Sequence, residues 1–337
     1  MVRLLLTTTI NGCSCSSSSS SISAPTCRVV IPSRCHNYYH KKFSFSFGWN
    51  SSKPSQLSLF LFTNISKSRK LYAVQEEEQQ QVDYQVLTAI NTKYNDILIL
   101  DTPDSRMLLL DSTHNVHSVY NKGQKWTGSY WDEFASLPAI IPEGPIAIFG
   151  LGGGTAAHLM LSLWPSLQLH GWEIDEILIH KSREHLGLSD LEKYTDDGGI
   201  LHVHIGDALS ISSGICGGYA GIIIDLFSGG EVLPELQEVD TWLELNNKLM
   251  ANGRIMVNCG AANPSSDSTS DGILETNSTL NTMCKAFPGQ VNWMKMPKSE
   301  GENYLAFTGP LPDLTMWAAD LPDPLSSSVM RWTSCFP

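Results

Sequence analysis

From Gly144 onward the chain alternates short apolar runs with segments of helical period, and no other feature restricts its fold as much. Ile146 to Phe149 reads as a buried strand. Ala156, Leu159, Met160 and Leu163 then recur at i, i+3, i+4 and i+7, one face of a helix that Pro165 closes. The pattern repeats, with strands at Leu167 to Trp172, Ile200 to Ile205, Gly221 to Asp225 and Arg254 to Asn258. Helices are expected at Asp175 to Leu186 and at Leu233 to Met250, the second stopped by Asn252-Gly253. A helix near Ile273 to Phe287 and strands at Gln290 to Met294 and Tyr304 to Thr308 follow. Such alternation needs crossovers between parallel strands. The expected architecture is therefore a doubly wound α/β sheet with ligands at the carboxyl ends of its strands.

Upstream the period is that of strands. Tyr84 to Ile90, Asp96 to Leu100, Arg106 to Asp111 and Val116 to Tyr120 are short apolar stretches, and Thr102-Pro103-Asp104-Ser105 is a turn signal. They predict a small antiparallel β domain. A helical segment, Gly128 to Leu137, ends before Pro138. The expected organisation is a targeting or disordered segment 1–75, a β domain with linker helix 76–138, the α/β domain 139–312, and an irregular tail 313–337 rich in proline.

The first segment differs in charge from everything after it. Residues 1–75 hold nine Lys or Arg, seventeen Ser and no Asp or Glu, whereas the remainder carries all 34 acids against 13 bases, a net of −21. A Ser-rich, cationic, acid-free segment without sustained periodicity predicts a chloroplast transit peptide. The acidic body is a poor non-specific ligand for nucleic acid. No apolar run approaches the roughly 18 residues of a membrane span.

The strand at Ile146 to Phe149 runs into Gly150-Leu-Gly152-Gly153-Gly154-Thr155, which opens the next helix. A dinucleotide fingerprint would place glycine where Thr155 stands; the GxGxG form with Gly150, Gly152 and Gly154 belongs to loops that bend around an S-adenosylmethionine-type ligand without a pyrophosphate. Glu173 ends the second strand, where a carboxylate accepts ribose hydroxyls, while Asp175 suits a helix cap. Asp207, followed by Ala208, ends the third, where a carboxylate can take the adenine amine. Three ordered signals on three successive strand ends point to an adenosyl ligand. Asp225 ends the fourth strand, placed to hold or deprotonate an attacking amine; a structural turn cap is the competing reading.

His202 and His204 share a strand face, but two ligands do not make a metal site. Cys216, Cys259, Cys284 and Cys335 are widely spaced and read as buried thiols rather than a disulfide framework. Trp126, Trp131 and Trp164 read as packing residues.

With these residues in view, positions 84–310 resemble the spermidine synthase family of polyamine aminopropyltransferases, more closely its divergent spermidine synthase-like branch. The resemblance is carried by Leu110-Asp111, Tyr130-Trp-Asp132-Glu-Phe-Ala-Ser-Leu-Pro138, Gly150 to Gly154, Glu173-Ile-Asp175, Gly206-Asp207 and Asp225-Leu-Phe-Ser228-Gly. It implies a Rossmann-like, seven-stranded class I methyltransferase fold behind a β domain, in a possible homodimer. It implies that Glu173 holds ribose, Asp207 adenine, that Asp225 is the amine-activating base, and that Tyr130, with Asp132 and Ser228, lines the acceptor pocket. The family reads GGGDG where this chain has Thr155, and DSSDP where it has Ser228, so two acids that pair with ligand ammonium groups are replaced. The expectation is a transferase using S-adenosylmethionine or its decarboxylated form on an amine, tilted toward methyl transfer. The alternative is a non-catalytic plastid protein that keeps the fold as a binding or interaction module.

Overall fold

The computed structural model describes residues 84–113, 115–261, 277–297, 300 and 302–335 in full, and backbone alone at 79–83 and at the strands Val2–Thr7, Thr26–Pro32, Phe45–Gly48 and Ser58–Thr63. The rest of the expected targeting segment lies outside the described residues, although the backbone of Thr26–Pro32 runs antiparallel along Gln79 to Gln85. The chain divides into two units, and along the described sequence the boundary falls between Gly123 and Gln124.

The first unit is an antiparallel meander of β1 (Gln79–Asn91), β2 (Asp96–Asp101), β3 (Ser105–Leu109) and β4 (Ser118–Asn121). The Thr102 to Ser105 turn forms as expected, closed by Thr102 N–H donating to Ser105 O at 2.8 Å. Ile97, Ile99 and Leu108 share one buried face, and Leu100 is buried on the other.

The second unit begins with α1 (Tyr130–Phe134), which stops short of the helix expected over Gly128 to Leu137; Pro138 sits instead at the start of a separate 3-10 turn, Leu137–Ile140. Pro is tolerated there because a first-turn N–H has no helical partner to lose. This segment belongs to the second unit, so the domain boundary falls before the helix rather than after it.

Next come β5 (Ile146–Phe149), α2 (Thr155–Leu163), β6 (Gln168–Glu173), α3 (Glu176–His185), α4 (Leu188–Leu191), β7 (Ile200–Ile205) and β8 (Tyr219–Ile224). A two-strand hairpin, β9 (Phe227–Ser228) with β10 (Glu231–Val232), precedes α5 (Val239–Asn246), β11 (Leu249–Asn258), α6 (Ser278–Ala286), β12 (Val291–Lys295) and β13 (Tyr304–Thr308). The chain closes with α7 (Leu314–Ala319), α8 (Leu325–Ser328) and β14 (Thr333–Ser334).

The strands form one sheet in the order β7-β6-β5-β8-β11-β13-β12-β14. The first five are parallel and the last three antiparallel. It is the expected α/β fold, with seven principal strands and the short β14 added at the edge. All six residues of β8 are buried, as a central parallel strand covered on both faces requires. Phe149, Tyr219, Ile222, Trp242, Val257 and Leu280 anchor one core cluster. The chain leaves β5 toward β6 and β7, then returns to β8 on the other side. The topological switch point thus lies between Phe149 and Ile224, where an open sheet leaves a ligand crevice.

Three expectations are corrected. Helix Leu233 to Met250 is a 3-10 turn, Pro234–Gln237, followed by α5, which ends at Asn246. Leu249 pairs with Tyr219 instead, and Asn252 takes φ 62° inside the strand beside a register shift. Apolar Leu249 and Met250 satisfy a helical period as readily as a strand, and only pairing decides between them.

The tail is not irregular. Asp313 caps α7 through Thr315 and Met316 N–H, and β14 pairs with β12. Trp317, Leu325, Val329 and Trp332 are buried, with Phe307 edge-on to both tryptophans.

The cysteine reading also changes, because Cys284 on α6 and Cys335 after β14 are joined by a disulfide. Of the other two cysteines after residue 75, Cys216 is exposed and Cys259 is buried, its thiol pushed up by burial. No helix of the described residues is long and apolar enough to cross a membrane.

Candidate functional site

The loop from β5 to α2 turns because Gly150, Gly152 and Gly154 adopt φ of 87°, 55° and 84°, a region closed to side chains without strain. Gly150 has a second reason: a Cβ there would lie 2.3 Å from the carbonyl oxygen of Asp225. The loop and the end of β8 therefore touch backbone to backbone across the switch point. Gly150 and Leu151 N–H both donate to Trp172 O, which ties the loop to β6 as well. Thr155 is the first residue of α2 and 4 % exposed.

Glu173, at the end of β6, is knitted into this loop. Its Oε2 accepts from Gly152 N–H at 3.0 Å, and its Oε1 from Ile174 and Asp175 N–H at 2.9 and 3.2 Å. Burial pushes its carboxyl up, against the pull of those three donors. A carboxylate offers about four lone-pair sites, so one is left for a hydroxyl, and a second hydroxyl would share with an N–H. Asp175 does the capping, accepting from Ile177 and Leu178 N–H.

Asp207 follows β7 and is exposed, its Oδ1 accepting from Leu209 N–H at 2.9 Å; Ala208 beside it is buried. Glycine loop, Glu173 and Asp207 thus stand on the ends of three adjacent parallel strands, in the expected order.

Asp225 is half-buried at the end of β8, and the structure surrounds it with donors. Tyr130 Oη and Trp131 Nε1 both donate to its Oδ2, at 3.0 and 3.2 Å, and Asn258 Nδ2 donates to its Oδ1 at 3.0 Å. Asn258, 1 % exposed at the end of β11, is oriented in turn by Gly260 N–H and Asn303 Nδ2, each 3.0 Å from its Oδ1. Burial and the Asp225 carboxylate push the Tyr130 phenol well above its ordinary value, so it stays a neutral donor.

Sequence reasoning brought Tyr130 and Asp225 to one site but missed the rest of this cluster. Trp131 was read as packing, yet its indole N–H reaches Asp225. Asn258 was legible by the strand-end rule already applied to three acids. Asn303 had no sequence signal.

Two other expected substrate residues stand on the same turn as Tyr130 and on the hairpin after Asp225. Asp132 is 4 % exposed, and its carboxylate accepts from Thr127 N–H and Oγ1 and from Gly128 N–H, which commits it to the turn preceding α1. Ser228 is exposed on the β9–β10 hairpin, opposite Glu231.

His202 and His204 gain a third imidazole, His170, whose Nδ1 lies 3.0 Å from His204 Nε2. The His170 and His204 rings stack, and His204 stacks on Trp172, so the nitrogens do not converge on a point. Among the described residues no group of three or more His, Cys, Asp or Glu could hold a metal ion.

No family model matches the chain. A curated "probable polyamine aminopropyl transferase" of Bifidobacterium longum is 22 % identical over 213 residues, 62 % of this chain and 46 % of that protein, so the chain spans about half of the relative's length. Among solved structures, spermidine synthase of Thermotoga maritima aligns with 68 % of this chain and 75 % of its own, at 16 % identity and a TM-score of 0.49. A probable spermidine synthase of Corynebacterium glutamicum covers 68 % and 77 %, at 18 % identity and 0.46. Human methyltransferase-like protein 13 in complex with SAH covers 59 % and 85 %, at 21 % identity and 0.39. The chain is distantly similar to spermidine synthases and to methyltransferases.

Proposed function

We propose that this chain is a transferase that binds S-adenosylmethionine, or its decarboxylated form, and passes an alkyl group to an amine-type acceptor. The observation that carries the reading is the pair of carboxylates facing the switch point. Glu173 is bonded to the glycine loop through Gly152, and Asp225 is held by Tyr130, Trp131 and Asn258. A sulfonium carbon is already activated, so alignment of an in-line attack supplies most of the rate, and the protein's task is to hold both reactants. Glu173 and Asp207 would hold ribose and adenine. Asp225 would hold the attacking nitrogen and take its proton or its charge, with Tyr130 and Trp131 fixing the carboxylate.

Methyl transfer is the finer reading. Thr155 and Ser228 offer no carboxylate to a ligand ammonium group, and each such charge-assisted bond is worth about 1.5–3 kcal/mol. A binding module without chemistry is favoured by one observation, that Asp225 already accepts from three donors. Calorimetric titration with S-adenosylmethionine, its decarboxylated form and methylthioadenosine separates these readings. Binding of none of the three removes the transferase. Clear preference for the decarboxylated form removes methyl transfer. If ligand binds, Asp225→Asn should abolish turnover while leaving affinity within about threefold, since the nucleoside contacts lie on other strand ends; unchanged turnover removes Asp225 from the mechanism, and ligand binding with no turnover of any amine acceptor leaves the binding module.

The acid-free, Ser-rich 1–75 segment supports chloroplast import of this protein. Import of the full chain into isolated plastids, followed by sequencing of the mature N-terminus, tests it; a chain that stays outside defeats it. A homodimer completes the proposal, with light scattering of the full chain as its test.

A further inference from the structure

The helix that carries Tyr130 and Trp131 to Asp225 is five residues long and has no side-chain cap on its N-terminus. A single turn does not hold itself in water, because nucleation costs more than one turn of hydrogen bonds returns. Its position must come from tertiary contacts, and some of these come from the far end of the chain.

Glu133, on the next residue after Asp132, is 4 % exposed. Its Oε2 accepts from Ser328 Oγ at 2.6 Å, and its Oε1 accepts from Arg331 Nη2 at 3.3 Å. Arg331 also faces Glu300 at 3.8 Å. One turn further, Trp317 Nε1 donates to Ser136 O at 3.0 Å, while Trp164, at the end of α2, donates to Ala135 O at 2.8 Å. Trp317 and Trp332 pack with Phe307 of β13, which fixes the closing segment to the sheet. The helix is thus gripped from behind by residues 317–331 and presents Tyr130 and Trp131 forward to Asp225.

We infer that the closing segment Leu314 to Ser334 is a positioning clamp for the acceptor side of the site, with Glu133 as the positioning residue through which Ser328 and Arg331 set Tyr130 and Trp131 against Asp225. The inference rests on the transferase reading only for its effect on turnover. Glu133 touches no reacting group; it acts through the turn it sits on. Nothing in the clamp touches Gly152, Glu173 or Asp207 among its described contacts, so nucleoside binding and acceptor handling should separate.

The test is amide hydrogen exchange on the ligand-free full chain, with Ser328→Ala, Arg331→Met, Arg331→Lys and the Ser328→Ala/Arg331→Met pair. Exchange across 130–136 should rise about tenfold in Arg331→Met, the equivalent of one charge-assisted hydrogen bond, and further in the pair. Arg331→Lys, which keeps a cation for Glu133, should recover most of the protection. Exchange of α2 and α3 should stay at the wild-type rate, and S-adenosylmethionine affinity within about threefold, while turnover falls with kcat rather than with the nucleoside KM.

Wild-type exchange at 130–136 in the pair overturns the clamp. So does a uniform rise across the whole second unit, which is what a general loss of stability would give. If the pair fails to fold, Ser328→Ala decides the matter alone: a rise of about threefold confined to 130–136 supports the clamp, and none overturns it. Because exchange is read without ligand, failure of S-adenosylmethionine to bind would remove the proposed reaction and still leave the clamp decided.

Discussion

Replacing Gly150 by alanine probes the backbone contact on which the site depends, and Gly198 provides the control. Both glycines sit in left-handed backbone, at φ +87° and +85°. At Gly198 an added Cβ meets nothing within 4 Å; at Gly150 it meets the carbonyl oxygen and carbon of Asp225 at 2.3 and 2.8 Å. The shared left-handed cost is about 1–2 kcal/mol, offset by about 0.4–1 kcal/mol from the stiffer unfolded chain. Gly198→Ala should therefore lose about 1 kcal/mol.

Gly150→Ala pays that and must also push Asp225 back. Overpacking of this kind costs about 1–3 kcal/mol, and the Asp225 N–H bond to Phe149 O, 2.9 Å long, puts about another 1 kcal/mol at risk. The expected loss is about 3–5 kcal/mol, or roughly 10 °C in Tm for a unit of this size. Urea and thermal unfolding of the two variants beside the wild type measure it. Equal losses at the two positions would refute the argument, since they would mean that the contact with Asp225 carries nothing beyond backbone strain.

Other expectations can be checked on the same protein. Burial pushes the Glu133 carboxyl up to about 7, so the folded state holds a proton that the unfolded chain releases. Stability should thus fall as pH rises from about 4.5 through 7, by about 3 kcal/mol in all, and Glu133→Gln should abolish that component in urea titrations at pH 5 and 8. A variant with the wild-type slope would refute it. His170 and His204 work in the opposite sense. Burial and neighbouring imidazoles lower both, His170 to about 4, so the unfolded chain binds protons first. Their contribution is whole above about pH 6.5 and lost on acidification toward 4, and His170→Asn should flatten that limb of the stability profile. The Cys284–Cys335 bond closes a loop with a sequence separation of 51. Chain entropy then predicts a stabilisation of about 4 kcal/mol, lost in dithiothreitol and in the double Cys→Ser variant, with peptide mapping to check the pairing; a reduced protein of unchanged stability would refute it.

Strand and helix alternation was legible wherever an apolar run has a period that only one element satisfies. Ile146 to Phe149 is too short and too continuous for a helix, and Ala156 to Leu163 has one apolar face. The strand ends were legible for a related reason: in a parallel sheet a residue's place along its strand already says which side of the molecule it faces. Leu249 and Met250 failed because an apolar pair beside a helix carries no period of its own. Their strand exists through Tyr219. The bonds of Asp132 to Thr127 and Gly128 were not legible, because they depend on how the turn before the helix is rolled.

The sequence by itself determined the order of strands and helices, the conformation of the glycine loop and the succession Gly152, Glu173, Asp207, Asp225 along the strand ends. Those follow from local sterics and from the two periods of burial, which act within a few residues. Only the tertiary structure decided that Asn258 and Trp131 donate to Asp225, that Cys284 meets Cys335, and that Ser328 and Arg331 reach back to Glu133. Those partners are 33 to 198 positions apart in the chain or depend on which way a short turn is rolled. A pairing of that kind carries no local signal, because its free energy appears only after the sheet has brought the two ends together.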